Sequence, residues 1–247
     1  GRVTGILVPA MVAGYMLLTA VVLVLHADQV WPALTLIVRD AFTGEAAAGG
    51  VLGAVIITGI RRAAFSNEAG IGSASIAHSA VQTKHPVTEG YVALLEPFID
   101  TVVICTMTSL VITITGSWVA GDGVTGIALT SKAFEANFGG FGYVLAIAAV
   151  LFAFSTMISW SYYGLKAWTY LFGEGQAKEV IFKVIFCIFV VIGSSMSLGP
   201  VIDFSDAMIF AMAIANIIGL YMLMPKVKAL VADYRAKLES GEIKKMK

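Results

Sequence analysis

The chain has 247 residues, of which 58% are hydrophobic and 13% charged, with 16 basic residues balanced by 16 acidic ones. A soluble domain carries about 25% charged residues, so this composition and a mean hydropathy of +0.88 exclude an ordinary water-soluble globule. The absence of basic excess excludes a nucleic-acid partner, which requires a positively charged surface.

A bilayer core needs about 20 predominantly apolar residues in one helix. The first such run is Thr4–Leu25, entered almost directly from Gly1-Arg2-Val3 with no initiator Met. It is too long for a signal-peptide core, so the expectation is a spanning helix entered partway through a longer protein, with the amino-terminal half missing. Trp31–Phe42 reads as an outer loop with a short interfacial helix. Gly49–Ile60 is apolar but only 12 residues long, roughly 18 Å as a helix, so residues 41–64 read as one interrupted span. Phe65–Gly90 is a long inner connection of small and polar residues, followed by a span at Val92–Thr115. Gly116–Gly140 is a glycine-rich outer loop with a helical centre near Ala128–Asn137. Three further spans follow at Phe141–Gly164, Val180–Leu198 and Phe204–Met224, and then a basic amphiphilic tail.

The expected architecture is therefore all-α and integral to the membrane, with six transmembrane spans in residues 1–225 and a cytoplasmic basic tail in 226–247. Six spans return the chain to its starting side. If that side is the cytoplasm, every basic residue except Arg39 and Lys132 faces inward, the bias that sets orientation in cell membranes. The tail has the composition of a segment that rests on anionic headgroups.

Three groups of residues carry candidate chemistry. In the interrupted span, Gly49, Gly50 and Gly53 lower the cost of unwinding and let a ligand reach the backbone. Broken helices bind substrate carboxylates and coupling ions in secondary transporters, and close helix packing through small residues is the competing explanation. In Phe141–Gly164, Ser155, Thr156 and Ser159 bring hydroxyl oxygens into an apolar span. They are either oxygen ligands for a monovalent cation or simple bonds back to the preceding turn. Glu96 and Asp100 stand four apart near the start of their span. Acids there are costly and are paired or functional, so the expectation is a structural pair with Arg61, Arg62 or another segment, with a proton relay as the alternative. Gly70-Ile71-Gly72 lacks the βαβ context of a nucleotide motif. His78 and His85 lack the companions of a metal site, and Cys105 and Cys187 lie in separate apolar runs with no disulfide framework.

The block Phe65-Ser66-Asn67-Glu68-Ala69-Gly70-Ile71-Gly72-Ser73 continues into Ala77-His78 and Thr83-Lys84-His85-Pro86. Phe98-Ile99-Asp100-Thr101, Phe154-Ser155-Thr156 and Trp160-Ser161-Tyr162-Tyr163-Gly164 follow in order. Over essentially the whole chain these blocks resemble the sodium:alanine symporter family, also called alanine or glycine:cation symporters. Two departures from its pattern are Arg62, in place of an expected glycine, and Ser75, in place of an expected proline. The resemblance implies an inverted-repeat transporter fold of five plus five helices. Thr4–Leu25 would be the fifth core helix, the remaining spans the second repeat, the interrupted span the broken sixth helix and Phe141–Gly164 the eighth. It implies symport of a small neutral amino acid, alanine or glycine, driven by sodium across the plasma membrane. Gly49, Gly50 and Gly53 would then meet the substrate, and Ser155, Thr156 and Ser159 the sodium ion, the only cofactor implied. The alternatives are proton coupling through Glu96 or Asp100, and a structural membrane subunit. An enzyme is disfavoured, because no nucleophile, base or metal set converges.

Overall fold

The computed structural model describes residues 2–42, 51–119, 124, 126–137 and 139–243. Among these the regular structure is helical throughout. The elements are α1 (Arg2–Leu25), α2 (Ala27–Phe42), α3 (Val51–Asn67), α4 (Ser73–His78), α5 (Pro86–Ile114), α6 (Ile127–Glu135), α7 (Phe141–Phe172), α8 (Gln176–Ser195) and α9 (Leu198–Glu239).

Four of these contain stretches long and apolar enough to cross a bilayer: Gly5–Leu25, Pro86–Ile114, Gly142–Phe172 and Leu198–Glu239. The other two expected spans are less clear cut. Residues 43–50, with Gly49 and Gly50, lie outside the described residues, and the interrupted span is represented by α2 and α3 on either side. Helix α8 carries Lys178, Glu179 and Lys183 in its first two turns. Its uncharged remainder, Val184–Ser195, covers only about 18 Å.

Several boundaries differ from the expected ones, each for a local reason. The expected outer loop at Trp31–Phe42 lies wholly within the 16-residue helix α2. Asp28 in its first turn and Arg39 in its last both complement the helix dipole, while Pro32, in the second turn, leaves the Asp28 carbonyl without its helical N–H partner. Helix α5 starts at Pro86, well before Val92, because His85 is extended and a proline at the first position has its φ already set. Pro97 does not begin the span but lies within it. The helix continues past it as a π segment, Phe98–Cys105. Helix α9 runs 42 residues through Pro225, about 63 Å, so most of the expected tail is the end of the last spanning helix.

The chain divides into two compact units, one of Gly1–Gly59 with Asp100–Gly164, the other of Ile60–Ile99 with Leu165–Lys247. In the first, Val22, Val111, Ala133, Phe134 and Leu145 form the buried core, with Tyr15, Leu18, Leu23 and Ile112 packed on it. The short helix α6 thus sets Phe134 against α1 and the end of α5, and its ring lies 6.0 Å from that of Tyr15. Next to this core the Tyr15 and Thr108 hydroxyls bond at 2.6 Å, and the fully buried Thr19 donates to the Tyr15 carbonyl at 2.7 Å. His26 Nε2 and Asn137 Oδ1, 2.6 Å apart, tie the α1–α2 junction to the residue that follows α6.

In the second unit the end of α3 and the loop after it lie along α9. Arg62 bonds both carboxylate oxygens of Asp206, and Asn216 Nδ2 donates to the Gly70 carbonyl at 2.9 Å. The two contacts lie eight positions apart on the first segment and ten apart on α9, in the same order, so the two segments run in the same direction. Gly70 and Gly72 hold positive φ angles of 81° and 111°. At Gly72 a Cβ would meet Asn216 at 3.4 Å, so a side chain there would be strained by the backbone angle and brought against α9. Large apolar side chains such as Ile6, Val24, Tyr170 and Met222 are exposed on both units, the inverse of a water-soluble fold and what a lipid solvent favours.

Candidate functional site

Ser155 lies near the middle of the 31-residue apolar stretch Gly142–Phe172 and is only 5% exposed. Its hydroxyl donates to the Phe152 carbonyl at 2.9 Å, and Ser159, one turn on, donates to the Ser155 carbonyl at 3.1 Å. Both therefore make the local bonds that hydroxyls in apolar helices usually make. A hydroxyl that donates its proton keeps two lone pairs, so these bonds orient the oxygens without using them up as cation ligands. Thr156 is exposed and points about 100° round the helix from Ser155. The structure thus joins Ser155 and Ser159 on one face and separates Thr156 from them. Gly53 lies in the first described turn of α3.

Of the expected structural pairings of the acids, Glu96 makes one with another segment rather than with Arg61 or Arg62. Glu96 Oε2 is 3.1 Å from His78 Nε2, while His78 Nδ1 meets Glu89 Oε1 at 2.6 Å. Two acidic neighbours, Glu89 first, hold the His78 imidazole above the ordinary histidine range against a smaller opposing effect of burial. Asp100 lies in the π segment and accepts a long bond of 3.5 Å from Thr101. Arg62 instead binds Asp206, whose side chain is 8% exposed against 43% for the arginine. Arg62 is therefore paired with Asp206 rather than with Glu96 or Asp100. It sits beside the apolar part of α9, eight residues from the start of that helix, and its charge is neutralised there.

Asp206 is the residue that sequence reasoning passed over. The signal was present, since it is an acid inside an apolar run, and its partner is the arginine that departs from the family pattern. Among the described residues no three His, Cys, Asp or Glu side chains are grouped to hold a metal ion.

Comparison with known proteins identifies a family for the chain. The model described as the sodium:alanine symporter family matches residues 1–247. The sodium/alanine symporter AgcS of Methanococcus maripaludis is 39% identical over 90% of this chain and 49% of its own length. An uncharacterized transporter of Haemophilus influenzae is 34% identical over 98% of the chain and 51% of its own length. A probable sodium/glutamine symporter, GlnT of Bacillus subtilis, is 35% identical over 85% of the chain and 44% of its own length. The chain spans about half the length of the curated relatives it matches.

Proposed function

The chain belongs to the sodium:alanine symporter family, and from that premise we propose that it forms part of a carrier that moves a small neutral amino acid, alanine or glycine, together with sodium. The observation that carries this reading is the buried Ser155 hydroxyl in mid-span, with Ser159 one turn below on the same face. Sodium is a hard cation that takes oxygen ligands. Hydroxyls already oriented by their own helix supply two without burying a charge. Thr156, adjacent but on another face, is the third candidate ligand.

In this account the substrate lies at the interrupted span, where Gly49, Gly50 and Gly53 leave room for its main-chain atoms. Backbone groups and half-helix ends meet charged ligands there in carriers of this class. The five-plus-five inverted repeat is the architecture proposed to bring the two sites together. The chain's ends are placed in the cytoplasm by the bias of its basic residues. Alanine is the substrate the family's name favours, whereas one relative is named for glutamine.

Proton coupling is the second reading. Glu96 fits it less well, because it is bonded to His78 and about half exposed, and Asp100 remains its better carrier. Uptake of labelled alanine by vesicles holding the full-length protein tests the proposal, with glycine and glutamine as competitors. Loss of uptake when choline replaces sodium, and stronger competition by glycine than by glutamine, are expected. Sodium-independent uptake would refute the coupling, and preferred competition by glutamine would refute the substrate.

A further inference from the structure

The contacts of His78 fix how many protons its cluster holds. Its two ring nitrogens lie 2.6 Å and 3.1 Å from carboxylate oxygens of Glu89 and Glu96. A neutral imidazole has one N–H and one bare lone pair, and an ionised carboxylate can only accept. Two imidazole–carboxylate hydrogen bonds therefore need one proton more than a neutral histidine and two carboxylates possess. Whether it resides on the ring or on a glutamate, the geometry requires it to be bound.

Glu96 follows Glu89 by seven positions, which places them two turns apart on one face of α5. His78, at the end of α4, bridges them and so fastens the connection between α3 and α5 to the first turns of α5. Glu89 is the most shielded member, with side-chain exposures of 18% for Glu89, 26% for His78 and 53% for Glu96. Lys84 and His85 follow in the same connection, and Lys166 of α7 lines, with Ser75, Ile76, Ser79 and Tyr170, a groove of about 480 Å³ against α4. The two carboxylates favour protonation of His78, the shorter bond to Glu89 most, and partial burial opposes it.

We propose that His78, Glu89 and Glu96 form a proton-binding site that clasps this connection to α5, and that the carrier slows as the proton leaves. Uptake of one proton from solvent forms the second N–H bond and takes the cluster from a charge of −2 to −1. The clasp is complete below the ordinary histidine pKa of about 6.5 and is lost as pH rises through the elevated value in the folded protein. This proton is held rather than carried, which separates the site from coupling through Asp100. Only the statement about turnover rests on the transport reading above.

Diethyl pyrocarbonate, which acylates the unprotonated ring alone, reads the site directly. Full-length protein is treated between about pH 5.5 and about pH 9, and modification of His78 is quantified by peptide mass spectrometry. A half-reaction pH clearly above about 6.5 is expected in the parent. Glu89→Gln should lower it by tenfold or more in proton affinity, and Glu96→Gln by less. A midpoint at or below the ordinary value, or one unmoved by Glu89→Gln, overturns the site. In vesicles, parent uptake should fall across the same pH interval while His78→Gln uptake stays level. Parallel profiles for the two overturn the control of turnover, whereas absence of uptake in both counts against the transport reading and leaves the labelling result to decide the site.

Discussion

Removing Arg62 should cost more stability than removing Asp206, although the two make the same bond. The asymmetry comes from exposure: the carboxylate is 8% exposed and the guanidinium 43%. Arg62→Ala strands a charge that solvent barely reaches. Breaking a buried pair from one side costs about 3–5 kcal/mol, and partial solvent access to this one reduces the expected figure to about 2–3 kcal/mol. Asp206→Ala leaves an arginine that can turn its head toward water, at a cost of about 1 kcal/mol. Replacing both, as Arg62→Met with Asp206→Leu, should cost less than Arg62→Ala alone, because no charge is left stranded. Reversible unfolding of the full-length protein in mixed micelles, followed by helicity against added sodium dodecyl sulfate, measures all three. Equal costs for the two single variants, or a double variant as costly as their sum, would refute the reasoning.

Other consequences are open to the same treatment. Phe134 is fully buried, so Phe134→Ala should cost about 3–5 kcal/mol in the micelle titration, and a loss below about 1 kcal/mol would show that α6 is not packed as described. Ser155→Ala should raise the sodium concentration for half-maximal uptake several-fold, and Thr156→Val should do so less, given its exposure; unchanged sodium dependence in both would leave the hydroxyls with a structural role only. Gly50→Val should abolish substrate binding while the protein still folds, and normal binding would make Gly49–Gly53 a packing face. Cysteines at Ala128 and Gln82 should react with an impermeant maleimide from opposite sides of the membrane, and reaction from one side would overturn the topology.

The sequence was most informative where a single physical demand dominates. Long apolar runs have few alternatives to spanning a bilayer, so Thr4–Leu25, Phe141–Gly164 and Phe204–Met224 were legible and fall inside α1, α7 and α9. Helix ends were harder, because they depend on local devices of modest strength. Pro86 and Pro97 illustrate the point: the first starts α5 and the second is absorbed within it by a π segment, and hydropathy does not distinguish the two prolines. The extent of α2 was underread: the expected outer loop with a short interfacial helix at Trp31–Phe42 is helical throughout, and the helix begins earlier, at Ala27.

At the candidate sites, residue type was readable and pairing was not. Ser155, Thr156 and Ser159 were picked out as oxygens in an apolar span, but only the structure shows that the first and third share a face and are oriented by their own backbone. The partners of Arg62 and His78 are distant in sequence or ambiguous among several acids. Asp206 is 144 positions from Arg62, and no periodicity links them. His78 was set aside for lacking metal companions, which was sound as far as metals go, yet Glu89 and Glu96 stand at the spacing that a bridging imidazolium needs.

The claim that the chain belongs to a carrier driven by sodium is tested most directly by running the coupling in reverse. Vesicles containing the full-length protein are loaded with radioactive sodium at equal concentrations inside and out, and an inward alanine gradient is imposed. Alanine entry accompanied by uphill accumulation of labelled sodium, unaffected by a protonophore, is the expected result. Alanine entry with no sodium movement, and with alkalinisation of the medium that a protonophore abolishes, would contradict it.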